Sequence, residues 1–312
     1  MRIPAAGLVG VVTLVGALAP FVGCRRDAPK ADIVATDTVP TSDAASGAPS
    51  TEPANGLPIP AASVATVVNP LNLPAYDGPT GSIEGTVLVR GPDAPIMPGL
   101  SVSPCPAALD TYGKLFRSGL PRADGARPLA DAVVVVTGYS GYFLPEKNPI
   151  VRVTIGADCG YPSLTIALTF GQRLEVANDS SLPFAPYLEG TLLPAVMIAP
   201  PMQSGEPVKI YPPRADYFAL RDRMESFVRG DVYVLRHPLH AVSDLRGHFR
   251  IGGVPVGKLK VGARLRAIGK EDVKDVDVRP NVVENVELVL DYVPPQQAAP
   301  DDGGGPKRPY LN

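Results

Sequence analysis

From Gly81 to Tyr292 the chain runs as short stretches of β-branched residues, each closed by Gly, Pro, Asn or Asp. "GSIEGTVLVRG", "DAVVVVTGY", "PIVRVTIG", "SLTIALTF", "QRLEVAND", "EPVKIYPP", "GDVYVLRH", "GHFRIGGVP", "GKLKVGARLRA", "KDVDVRP" and "NVVENVELVLDY" all have this form. Val, Ile and Thr favour a pleated surface, and the residues between the stretches favour turns. Punctuation this frequent leaves no room for alternating helices, so the fold class expected is all-β, a Greek-key β-sandwich. At the C-terminal end, Val273, Val276 and Val278, then Val286, Leu288 and Leu290, predict strands with one wet face.

One segment departs from this pattern. In "ADYFALRDRMESFV", Tyr217, Leu220, Met224 and Phe227 recur at helical spacing, which predicts one short helix over the sandwich; a strand followed by a loop also fits. Arg221, Asp222, Arg223 and Glu225 between them read as a solvated face.

The two ends differ from the core. Residues 1–24, "MRIPAAGLVGVVTLVGALAPFVGC", carry Arg2, an apolar run and then small residues, which is the form of an export signal. Phe21-Val22-Gly23-Cys24 resembles the lipobox of bacterial lipoproteins, with Phe where that family usually has Leu. The resemblance implies lipidation at Cys24; the alternative is an ordinary signal peptide cut nearby. Residues 25–80 are poor in aromatics and rich in Pro, Ala, Ser and Thr, and are expected to form a disordered stalk. Residues 293–312, with Gly303-Gly304-Gly305, are expected to be a disordered tail. The implied location is the cell envelope, on the periplasmic or surface face of a bacterial membrane, tethered through lipid.

Three cysteines are an odd number for an exported chain. If Cys24 carries lipid, Cys105 and Cys159 remain, and a disulfide is the default in an oxidising compartment; two buried free thiols are the alternative. Lys and Arg number 29 against 31 Asp and Glu, so no basic field draws the chain to nucleic acid.

Within the core, 81–292, two resemblances meet. "GSIEGTVLVRG" (81–91) and the stretch 240–292, which opens "HAVSDLRGHFRIGGVPVGKLKVGAR", look like the carboxypeptidase regulatory-like family of small β-sandwiches. Between them, 129–236 resembles exported plastocyanin-like, or cupredoxin, proteins through Cys159, Pro162, Gly171, Gln172, Asn178 and Asp179. That family implies a copper site, but its ligands do not recur here. The expected first histidine falls on Pro183 or Phe184. Counting back from His237-Pro238, the Cys, His and Met positions fall on Asp222, Glu225 and Val228. A blue-copper centre needs a thiolate with its two imidazoles, and no cysteine occurs after Cys159. No cofactor is expected.

All three histidines, His237, His240 and His248, lie in one short stretch, and a metal site built from them for copper or zinc, linked to electron transfer, is the competing reading. None has a partner at a recognised metal spacing, so ordinary strand and turn positions are favoured. His240, Ser243 and Asp244 form a trio only in sequence, and nucleotide, hydrolase and metalloprotease motifs are lacking. The expectation is therefore a non-catalytic protein with a structural or recognition role and a protein or envelope partner. Tyr139, Tyr142 and Phe143 in one loop, with Tyr187 and Leu188 in another, are the expected contact residues, since aromatic Pro-rich loops make binding surfaces.

Overall fold

The computed structural model describes residues 56–192 and 196–295. The export signal, Cys24, residues 25–55 and residues 296–312 lie outside the described residues. No described helix is long and apolar enough to cross a membrane.

In chain order, helix α1 (Ala61–Val68) precedes β1 (Thr80–Arg90), and helix α2 (Leu109–Tyr112) precedes β2 (Arg127–Pro128) and β3 (Val133–Thr137). Then come β4 (Ile150–Ile155), β5 (Thr165–Thr169), β6 (Arg173–Asn178), β7 (Pro186–Leu188), β8 (Val208–Ile210), β9 (Tyr217–Asp222) and β10 (Arg229–Leu235). The chain continues through β11 (His240–Val242), β12 (His248–Pro255), β13 (Gly257–Arg264), β14 (Glu271–Val278) and β15 (Val283–Asp291). The fold is all-β, and it holds two sandwiches with separate cores.

The first sandwich uses the contiguous strands β4 to β10: one sheet has the order β5-β10-β9-β7, the other β4-β6-β8. Leu168, Leu174, Phe184, Phe218, Leu220, Val232 and Val234 fill the space between them. The second sandwich takes strands from both ends of the core. One sheet has the order β12-β1-β15, with β2 also on β1; the other has the order β11-β3-β13-β14. Its core holds Ile83, Val87, Val134, Val136, Phe249, Ile251, Val261, Leu288 and Leu290.

Strand β3 thus pairs with β11 and β13 of the second sandwich, not with the 129–236 segment to which the resemblance assigned it. Its "VVVV" run is apolar on both sides for a physical reason. Val134 and Val136 face the second core, while Val133, pointing the other way, is also only 1% exposed, because β5 of the first sandwich lies against that face.

The helical spacing at 217–227 is overturned. β9 is an inner strand bonded to both β10 and β7. Period two wins: Phe218 and Leu220 enter the first core and Tyr217 points out of it. The strand stops at Asp222, whose Oδ1 accepts from the backbone N–H of Met224 (2.8 Å) and Glu225 (2.9 Å) and turns the chain. In β14, Val276 and Val278 pack inward, but Val273 lies 49% exposed, since a separation of three puts it on the opposite face.

The stretch expected to be unstructured up to residue 80 is ordered over its last part. Val64, Val67 and Val68 of α1 stand at i, i+3 and i+4 and pack on the first core. The helix comes so near the β5–β6 turn that a Cβ on Gly171, at φ +100°, would sit 2.7 Å from a Val64 methyl. The turn needs glycine both for its backbone angle and for this contact.

The two sandwiches are joined at Asp131, just before β3, whose side chain is 3% exposed. It accepts from Arg117 Nε (2.7 Å) and Nη2 (2.6 Å), from Ser163 Oγ (2.9 Å) and from the Leu164 N–H (2.8 Å). Its own N–H donates to the Ser243 carbonyl at the end of β11. Removing one partner of a buried, hydrogen-bonded ion pair leaves the rest uncompensated. Asp131→Ala should therefore lower the unfolding free energy in urea by about 3–5 kcal/mol, whereas Asp275→Ala, whose carboxylate is 85% exposed beside Lys260, should leave it nearly unchanged. Cys105 and Cys159 are joined by a disulfide spanning 54 residues of chain. Replacing both by Ser should remove about 4 kcal/mol on the chain-entropy account, read in the same unfolding experiment.

Candidate functional site

The residues that carry the cupredoxin resemblance build loops. Asn178, 1% exposed, donates through Nδ2 to the carbonyls of Leu182, Ala199 and Pro200, and its Oδ1 accepts from Ser180. Gln172 accepts from the Thr169 N–H (2.6 Å) and donates to the Asn148 carbonyl (2.7 Å), closing the β5–β6 turn against the approach to β4. Asp179 accepts from Gln203. Pro162 gives its carbonyl to Arg117.

Where that resemblance puts copper ligands, the side chains pack instead. Phe184 is fully buried and exchanges backbone hydrogen bonds with Ala199. Val228 is fully buried, beside Phe227 and Tyr112, whose rings meet edge to face at 6.0 Å. Asp222 is 7% exposed; its Oδ2 and the Tyr161 hydroxyl are both buried without a hydrogen-bond partner. Burial pushes the Asp222 carboxyl and the Tyr161 phenol upward in pKa. A phenylalanine, a valine, the desolvated Asp222 carboxyl and the half-buried Glu225, with neither a thiolate nor an imidazole among them, do not make a blue-copper donor set. Among the described residues no group of three or more His, Cys, Asp or Glu side chains is placed to hold a metal ion.

The histidines separate into a pair and a single. Asp244 and His248 face each other across the turn after β11, since the Asp244 N–H donates to the His248 carbonyl. His240 opens β11, at the other end of that strand from the turn. His248 is exposed. Nor does the Ser–Asp–His trio converge. The Ser243 hydroxyl, buried, donates to the Leu129 carbonyl and accepts from the Ala132 N–H. The Asp244 carboxylate caps Arg246 and His248, and His240 Nε2 meets Thr169 Oγ1 at 3.2 Å.

His237 instead joins three tyrosines. Tyr139 lies edge-on to its ring at 5.7 Å and stacks on Tyr142 at 5.5 Å, and Tyr142 meets Tyr76 at 4.5 Å. The segment before β1 holds this loop in place. The Tyr76 N–H donates to the Phe143 carbonyl and the Phe143 N–H to that of Pro74. The result is a half-buried aromatic ledge at the crossing from β10 to β11. Burial pushes the Tyr139 phenol up to about 12, with Tyr142 adding to it. Tyr76 is the ledge residue missed in sequence, because it sits in a stretch that reads as stalk.

Tyr187 and Leu188 are elsewhere. They lie on β7, three strand spacings from β5, or about 14 Å across the sheet. Leu188 is 1% exposed and belongs to the first core, so it is not a contact residue. The half-buried ring of Tyr187 carries the Arg223 guanidinium at 4.9 Å.

A cleft of about 530 Å³ opens between the sandwiches, beside Asp131, with β9 and β10 on one side and Leu265 to Ala267 after β13 on the other. Arg214, Arg221, Arg229 and Arg266 reach its walls together with Tyr217 and Phe218. Its lining comes from several separate segments of chain. The only sequence signal for it is the arginine density at 214–229, which resembles a wet helix face until the strand is known.

No protein-family model matches this chain, and no curated protein matches it. Among solved structures, a mutant of amicyanin in the reduced state is similar over 27% of this chain and 81% of its own, at 16% identity and TM-score 0.24. A second amicyanin mutant, in the Cu(I) form, is similar over 28% of this chain and 82% of its own, at 22% identity and TM-score 0.23. A Cu-containing nitrite reductase from Thermus scotoductus SA-01 is similar over 31% of this chain and 25% of its own, at 13% identity and TM-score 0.23.

Burial, with the neighbouring His240 adding to it, holds the His237 imidazole down to about 4; His240 is itself lowered by burial, with Glu146 opposing. Below the ordinary histidine value of about 6.5, the unfolded chain takes up a proton that folded His237 refuses. Stability from this group is complete above pH 6.5 or so and is lost as pH falls toward the folded value. Unfolding midpoints measured between roughly pH 7 and 4 should decline, and His237→Phe should flatten that decline.

Proposed function

We propose that this chain is a non-catalytic recognition protein of a bacterial envelope, lipid-anchored at Cys24, with the tyrosine ledge as its contact face for a protein partner. The ledge is the observation that carries this reading. Tyr139 and Tyr142 come from one loop and Tyr76 from another, the rings touch, and backbone hydrogen bonds fix their positions before any partner arrives. Tyrosines of this kind offer large amphipathic area with little left to order, which is the pattern of binding hot spots. The first sandwich is then a cupredoxin-like frame in which Pro183 or Phe184, Asp222, Glu225 and Val228 occupy the ligand positions. The dispersal of His240, Ser243 and Asp244 over three separate structural tasks favours the non-catalytic side.

The test uses the full chain expressed in a bacterial envelope, with a photo-crosslinking residue at Ser140, beside the ledge. A discrete adduct with one envelope protein, lost in Tyr139→Ser/Tyr142→Ser while protein level and urea midpoint hold, is the expected result; an adduct pattern unchanged by the double substitution ends the proposal. Cys24→Ala should release the chain from the membrane fraction. Stoichiometric copper or zinc on the purified protein would instead favour the reading based on His237, His240 and His248.

A further inference from the structure

The cleft between the sandwiches has a chemistry independent of the ledge. Its size lies in the range of small-molecule sites, about 300–1,000 Å³, and junctions between folded units are where such sites commonly form. One part is apolar: Phe116, Phe218 and Leu265 are nearly fully buried beneath it, and Met97 and Leu115 are half-buried at its side. The other part is charged.

The charges divide into pairs and a remainder. Asp131 is taken by Arg117, Arg214 by Asp216 at 2.9 Å, and Arg221 by Glu189 at 3.5 Å. Arg229 and Arg266 remain, with Asp231 the acid beside them. Asp231 already accepts from the Tyr217 hydroxyl at 2.7 Å. Arg229 donates to the Tyr112 carbonyl at 2.9 Å, and burial followed by the charge of Arg221 lowers its pKa. Arg266 sits over the Tyr217 ring, 4.1 Å from its centroid, at an exposed position from which its guanidinium can also donate hydrogen bonds. The remainder is two cations against one carboxylate. One further negative charge completes it, whereas a phosphate monoester, at about −1.5 to −2, overshoots it beside Asp231.

We infer that this cleft binds a small organic carboxylate with an apolar body, the carboxylate held by Arg229 and Arg266 and the apolar part lying against Phe218, Leu265 and Phe116. Guanidinium groups match a carboxylate with two parallel hydrogen bonds, which gives orientation as well as attraction. Tyr217 sets the site's geometry: its hydroxyl fixes Asp231 and its ring face carries Arg266.

The experiment is isothermal titration of the full chain with octanoate, octanamide and octyl phosphate. Octanoate is expected to bind with one site, and Arg266→Gln, at an exposed position, to weaken it at least tenfold; Arg229→Gln should do the same. Tyr139→Ser/Tyr142→Ser should leave octanoate binding unchanged, which separates this site from the ledge. The amide should bind at least tenfold more weakly than the acid. Equal binding of acid and amide overturns the inference, because apolar contact alone would then account for it. So does tighter binding of octyl phosphate than of octanoate, an absence of octanoate binding at millimolar concentration, or binding that Arg266→Gln leaves intact. Arg266→Gln decides the matter should Arg229→Gln fail to fold.

Discussion

One buried carboxylate coordinates the two halves of this protein. Asp131 collects a guanidinium from the connecting segment, a hydroxyl and an N–H from the first sandwich, and it is tied by its own N–H to the second. Buried charge is tolerated only when its hydrogen-bonding capacity is filled, and here the four donors come from two segments, Arg117 on one side of Asp131 in sequence and Ser163-Leu164 on the other. The residue adopts a left-handed backbone, φ +67°, uncommon for a side chain with a Cβ but best accepted by Asp and Asn. The relation between the sandwiches, and with it the cleft that Asp131 borders, depends on this set of contacts. Arg264 and Arg266 over Tyr233 and Tyr217 add cation–π contacts across the same junction.

The loops and the interior of the first sandwich are held by different means. Asn178 and Gln172 satisfy buried backbone groups in the loops, and they do so whether or not a metal lies nearby. Phe184 and Val228, by contrast, fill the first core with apolar volume. The disulfide between Cys105 and Cys159 fastens the covering segment that brings Tyr112 and the orphaned Tyr161 hydroxyl into this end of the sandwich.

What was legible in the sequence is what local rules decide. The β-branched runs and their turn residues are strands and turns, and Val286, Leu288 and Leu290 alternate as period two requires. Gly247, at φ +75°, closes a turn where a Cβ would meet the Val87 carbonyl at 2.4 Å. What was not legible depends on distant neighbours. The spacing of Tyr217, Leu220, Met224 and Phe227 fits a helix, but two flanking strands supply backbone partners that propensity cannot foresee. Val133 looks like any other strand valine, and only the β5 contact shows why its outer face is apolar as well. Leu188 reads as a loop residue because its neighbours are Pro, Tyr, Glu and Gly, yet it pairs with Leu220 and points inward. The cleft and the ledge are products of packing between segments, which no periodicity records.

The parallel pairing of β1 with β15 joins the first and last of the described strands. Ser82 stands opposite Val283, a pairing across about 200 residues of chain. The intervening sandwich is continuous in the chain and contains every strand it needs between Ile150 and Leu235. Once it has closed, it replaces a long floppy loop by a compact body whose two ends stand on neighbouring strands, β3 and β11. The entropy of bringing β1 and β15 together falls accordingly. On this topology a compact inserted module shortens the loop that the surrounding module must close.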